Sequence, residues 1–219
     1  MHKEELLNRA RFYAILDTAY VEESVWVETC AKLISGGADL IQLRAKRETP
    51  EQRRELLEAI LPLFKGNTIP LIINDDLELA LSYPTLGLHI GQEDTPARIA
   101  RIRLGPDRIL GLSTHSLKQA TEALALENYL DYFALGPIFA TQTKPNYPPV
   151  GLELIKAVNA LNPKIPFFCI GGITHKNISQ VAQAGAKRVV AVSDVFQVEN
   201  MEKRIHCYKE ALNTFNLND

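Results

Sequence analysis

The chain has 219 residues, 46% hydrophobic and 23% charged, with a net charge of −2. That length fills one core well and two poorly, so a single domain over 1–219 is expected, with residues 1–10 and 216–219 at its periphery. The charge balance excludes a general affinity for nucleic acid, no basic run suits a membrane surface, and no apolar stretch spans a membrane or serves as a signal peptide.

A cytosolic protein is expected, and a homo-oligomer is compatible with the composition. Cys30, Cys169 and Cys207 are odd in number and widely spaced, which argues against a disulfide framework or a zinc site.

In chain order, short apolar runs predict strands at Phe12–Leu16, Leu40–Leu43, Leu71–Ile73, Gly87–Ile90, Ile109–Leu112, Tyr132–Leu135, Phe167–Ile170 and Arg188–Val192. Segments of helical period follow at Val21–Ser35, Pro50–Phe64, Leu77–Tyr83, Pro96–Leu104, Leu117–Leu126, Leu152–Leu161, Asn177–Ala184 and Met201–Phe215. Strands apolar throughout, each followed by a helix, call for a parallel sheet covered on its outer face. Eight such units predict an α/β protein, a compact (β/α)8 TIM barrel. The competing architecture is an open doubly wound sheet, whose ligands gather at one switch point. Here polar residues follow nearly every strand, as a barrel mouth requires, and no GxGxxG follows a strand.

Those polar residues form recognisable constellations. Asp75 and Asp94 follow the third and fourth strands, whose loops are neighbours in a barrel, so both carboxylates can face one magnesium ion. The competing role is helix capping, favoured for Asp76 and a serious rival for Asp94. Arg44, Lys46 and Lys144 bring positive charge to the same mouth, suiting a polyphosphate, with ordinary solvation the alternative, a stronger one for Lys46 than for Lys144. The loop LGPIFATQTKPNYPPVG, from Leu135 to Gly151, carries Thr141, Thr143 and Lys144 between prolines, and its part from Ala140 to Pro149 is a candidate lid. Gly171 and Gly172, followed by Ser193 after the next strand, occupy the usual phosphate-binding end of such barrels, with a tight turn as the alternative. His89 reads as a packed barrel residue, and His115 as a ligand contact or a helix cap.

The runs IQLRAK, IINDD, HIGQED, GLSTHS, GPIFATQTK, CIGGI and AVSDVF, in this order from Phe12 to Phe196, strongly resemble the thiamine-phosphate synthase family. The resemblance implies a transferase that joins a pyrimidine pyrophosphate to a thiazole phosphate and releases pyrophosphate. It further implies that Gln42, Arg44, Lys46, Asn74, Ser113 and Lys144 bind the pyrimidine substrate, with Arg44, Lys144 and Ser113 in catalytic roles. Asp75 and Asp94 would hold Mg2+, and Thr141, Thr143, Gly172, Val192 and Ser193 would face the thiazole phosphate. Two departures stand out: Ala45 occupies the middle of an RxK segment where Glu is usual, and the first strand ends Leu16, Asp17, Thr18. Altered affinity rather than lost activity is expected from Ala45. Two rivals remain at this stage, a related thiazole tautomerase and a silent barrel that binds a thiamine precursor.

Overall fold

The computed structural model describes residues 2–141 and 147–216. Eight parallel strands close in sequence order into a barrel: β1 Phe12–Asp17, β2 Leu40–Arg44, β3 Leu71–Asn74, β4 Gly87–Ile90, β5 Leu110–Thr114, β6 Tyr132–Leu135, β7 Phe167–Cys169 and β8 Val189–Ala191. β8 pairs with β1 through Phe12↔Val189 and Ala14↔Ala191, so no edge is left open. The doubly wound alternative is thereby excluded.

The strands are apolar on both faces because each face has its own core. Phe12, Ala14, Leu16, Ile41, Leu43, Leu88 and Leu112 point outward into the layer between barrel and helices. Tyr13, Ile15, Leu40, Ile72, Tyr132, Phe168 and Val190 point inward and fill the barrel. With a side-chain period of two, the inward positions of β2 run Leu40, Gln42, Arg44, and those of β3 run Ile72, Asn74. The interior is therefore apolar at the amino ends of the strands and polar at their carboxyl ends. This gradient also explains why four strands extend past their apolar runs, to Asp17, Arg44, Asn74 and Thr114.

The outer helices are α1 Lys3–Arg9, α2 Trp26–Ser35, α3 Pro50–Ile60, α4 Leu77–Leu81, α5 Ala97–Leu104, α6 Leu117–Leu124, α7 Leu152–Ala160, α8 Ile178–Gln183, α9 Ser193–Phe196 and α10 Met201–Asn216. Their starts follow local chemistry. Thr49 and Gln52 form a capping box ahead of α3, with Pro50 in its first turn, and Ser116 accepts from the Gln119 N–H ahead of α6.

Two elements depart from the sequence reading. Residues 1–10, expected at the periphery, contain α1, and its Leu7, with Ala10 just after the helix, is buried among the inward barrel residues. KEELLNR carries too short an apolar stripe to announce this, and its helix is held by tertiary burial. The four-residue α9 is too short to show a period. No helix among the described residues is long and apolar enough to cross a membrane.

Candidate active site

A cleft lies at the carboxyl ends of the strands, with about 900 Å³ of empty space that includes open solvent. Of the site residues expected from sequence, Gln42, Arg44, Asn74, Ser113, Thr141, Gly172, Val192 and Ser193 line it. Thr143 and Lys144, in the middle of the candidate lid, lie outside the described residues.

One wall is charged. The parallel register sets Asp17 beside Arg44, and the buried Asp17 carboxylate accepts from an Arg44 terminal nitrogen at 2.6 Å. The other carboxylate oxygen accepts from the Ala19 N–H at 3.0 Å. Asp17 thus fixes the guanidinium while the rest of its donor fork makes no hydrogen bond among the described residues.

Next to it, Lys46 Nζ lies 2.7 Å from an Asp75 carboxylate oxygen. Asp75 sits at φ 63, a left-handed backbone that is uncommon outside glycine, and this turn directs its side chain away from helix α4. Its carboxyl group is close enough to that of Asp94 for each to shift the other's protonation. Burial pushes Asp75 up, but the Lys46 ammonium and the hydrogen bond with Asp94 outweigh it and hold its pKa below the ordinary value. For Asp94, burial and the adjacent Asp75 charge win over the hydrogen bond from the Gly91 N–H, and its pKa is raised. Two neighbouring carboxylates leave a place for a shared proton or a cation. Their hard oxygens suit magnesium, so the pair fits that ion.

The capping question resolves cleanly. Asp76 accepts from the Leu79 N–H at 2.9 Å, capping α4, and pairs with Arg53 at 2.7 Å. Asp94 caps nothing: α5 begins after Pro96 without a side-chain cap, and the Asp94 carboxylate turns back to the Gly91 N–H at 2.6 Å. Gly171 and Gly172 have φ of 99° and 61°, and a β-carbon on either would lie within 2.5 Å of Pro137 or Ala140 atoms. Glycine is therefore required there for backbone packing alone, whichever ligand they meet. Ala45 is buried in the outer apolar layer and does not line the cleft, so the carboxylate missing from this position is not one removed from the cleft wall.

Tyr13 carried no signal in the sequence, whereas His89 read as a packed barrel residue and His115 as a ligand contact or a helix cap. Tyr13 and His89 line the floor, and His115 lines the rim, its Nδ1 2.6 Å from the Gly136 carbonyl and its ring stacked on Tyr147 at 4.1 Å. Inside an apolar run, Tyr13 can be recognised as a cleft residue only once the inward face is known. Asp194, a polar residue after the eighth strand, is a structural anchor that accepts from Tyr208 Oη at 2.8 Å and Arg204 at 3.1 Å.

A closed parallel barrel with paired carboxylates and cations at its mouth defines a class of enzyme acting on phosphorylated small molecules. The thiamine monophosphate synthase family model matches residues 12–195. The chain is 37% identical over 193 residues to thiamine-phosphate synthase of Halalkalibacterium halodurans, covering 88% of this chain and 90% of that one. It is 38% identical over 201 residues to the enzyme of the same name from Mycolicibacterium vanbaalenii, covering 88% and 89%. Thiamine phosphate pyrophosphorylase from Pyrococcus furiosus superposes with a TM-score of 0.82 at 27% identity, covering 96% of this chain and 98% of that one. The chain belongs to the thiamine monophosphate synthase family, and it is a transferase.

Proposed function

We propose that the chain joins 4-amino-2-methyl-5-(diphosphooxymethyl)pyrimidine to 4-methyl-5-(2-phosphooxyethyl)thiazole, giving thiamine phosphate and pyrophosphate. The observation that carries this reading is the meeting of Asp75, Asp94 and Lys46 beside the Asp17-anchored Arg44. That wall suits a diphosphate with its counter-ion. Gln42, Asn74 and Ser113 hold the pyrimidine, and Thr141, Thr143, Gly172, Val192 and Ser193 hold the thiazole phosphate.

Arg44, Lys46 and Lys144 bind the diphosphate and stabilise the charge that grows on it as the bond to the pyrimidine methylene breaks. Because Arg44 is already oriented by Asp17, little rearrangement is needed at that moment. Asp75 and Asp94 would hold Mg2+, which supplies further neutralisation of the leaving group when bound. The thiazole nitrogen attacks without losing a proton, so no general base is required. The cleft instead aligns the two partners and excludes water from the electron-poor methylene. We place the reaction in the cytosol, in keeping with the exposed, unpaired Cys207.

The test supplies both phosphorylated substrates and magnesium and follows thiamine phosphate and pyrophosphate together. Equal appearance of both products, lost with Lys144→Ala or a chelator, is the expected result. Isomerisation of the thiazole phosphate without condensation would make the protein a tautomerase, and magnesium-dependent binding without turnover would make it a silent barrel.

A further inference from the structure

Five inward side chains from five strands form one unbroken hydrogen-bonded chain across the cleft floor. Gln42 Nε2 donates to Tyr13 Oη at 2.6 Å, Tyr13 Oη lies 2.9 Å from Tyr132 Oη, Tyr132 Oη lies 2.9 Å from His89 Nδ1, and His89 Nε2 lies 2.9 Å from Ser113 Oγ. All five residues are buried. The barrel makes room for the arrangement at Gly111, where a β-carbon would fall 2.1 Å from Tyr132 Cζ. Burial raises the pKa of both phenols, so both keep their protons and stay available as donors.

Hydrogen-bond polarity propagates along such a chain. An amide nitrogen only donates, so Tyr13 must accept from Gln42 and pass its own proton toward Tyr132. With His89 neutral and protonated on Nε2, Tyr132 then donates to His89 Nδ1, His89 donates from Nε2 to Ser113 Oγ, and the Ser113 hydroxyl proton is left for the cleft. At the other end the Gln42 amide oxygen has no hydrogen-bonding partner among the described residues and faces the cleft as an acceptor. Reversing the chain would reverse both ends together: Gln42 would present N–H and Ser113 a lone pair. The two end groups, 71 residues apart in sequence, therefore cannot choose their polarity independently.

We propose that Tyr13, Tyr132 and His89 are specificity-determining residues whose relay locks Gln42 as acceptor and Ser113 as donor, so that the cleft selects a 4-aminopyrimidine over its 4-oxo counterpart. This rests on the reading that Gln42 and Ser113 hold the pyrimidine. An aminopyrimidine edge offers an N–H donor beside a ring-nitrogen acceptor, the complement of this pair. The 4-oxo ring offers a carbonyl acceptor beside an N–H donor, and it matches only the reversed relay. Breaking the relay at Tyr132 frees the two ends to reorient separately, so an edge of either polarity is accommodated.

The experiment measures kcat/KM with the 4-amino and 4-oxo pyrimidine diphosphates at fixed thiazole phosphate, for the unaltered protein, Tyr132→Phe and Tyr13→Phe. Calorimetric binding of each pyrimidine diphosphate runs in parallel. The unaltered protein is expected to favour the amino substrate by at least about a hundredfold, because the wrong edge leaves buried groups unpaired. Each Phe variant is expected to shrink that ratio at least about tenfold by the same reasoning, with KM for the thiazole phosphate unchanged. A merely structural role for the tyrosines would depress both substrates equally, and an unchanged ratio in a folded variant overturns the relay while leaving the synthase reading intact. If the unaltered protein forms no thiamine phosphate, the synthase reading falls, and the calorimetric ratios decide the relay by the same criterion.

Discussion

Asp75 and Asp76 are adjacent and chemically identical, but one turns into the cleft and the other seals a helix. The difference is made by a single left-handed residue, whose cost of order 1–3 kcal/mol is carried by the surrounding barrel. Asp75 then meets Asp94 and Lys46, and the repulsion between the carboxylates is the local reason to bind a cation. Replacing Asp94 with Asn removes that repulsion while its side-chain oxygen still accepts from Gly91. The Asp94→Asn variant should melt no lower than the unaltered protein without metal, and the rise in Tm produced by added magnesium should disappear. A differential scanning measurement with and without magnesium decides this. A magnesium-dependent rise that survives the substitution would remove Asp94 from the ion site.

At the scale of elements, the short helix α4 shows how a cap and a binding residue are kept apart. Five residues make too few internal hydrogen bonds to hold a helix, so α4 depends on the Asp76 cap, the Arg53 ion pair and the burial of Leu77 and Leu79. Asp76→Ala should cost about 1–2 kcal/mol of stability, measured by urea denaturation, and leave KM for both substrates unchanged. Asp75→Ala should do the reverse, leaving stability nearly intact and abolishing magnesium-dependent turnover. The strand ends carry a related lesson. Arg44 and Asn74 read as loop residues because they are polar, yet they are the last inward-facing residues of their strands and line the cleft. An apolar run marks where a barrel strand is dry, and its polar continuation marks where the cleft begins.

At the scale of the molecule, α1 closes the end of the barrel opposite the cleft. Leu7 is 1% exposed and packs among Tyr13, Leu40, Ile109 and Val190, while Arg188 donates to the Leu7 and Asn8 carbonyls. Leu7→Ala leaves a cavity there and should cost about 3 kcal/mol. Because the floor plug and the catalytic mouth are opposite ends of one rigid barrel, kcat and KM at temperatures well below the transition should not change. A loss of affinity in this variant, with folding intact, would show that the two ends are coupled.

The amino-acid sequence by itself determined the alternation of eight strands and helices, because strands buried on both faces must be apolar and the helices covering them must carry a stripe. It also marked some of the cleft residues, such as Arg44, Asn74 and Ser113, because a polar residue directly after an apolar strand has few other places to be in a barrel. The capping of Asp76 was legible for the same local reason. Only the tertiary structure decided that Asp75 and Asp94 are electrostatic neighbours, that Ala45 packs away from the cleft, and that Tyr13 and Tyr132 meet across a separation of 119 residues. Those facts depend on the stagger with which the strands close. A hydrogen-bonded chain across a barrel has no local signature, since each member is a lone polar group in an apolar run until closure supplies its partner.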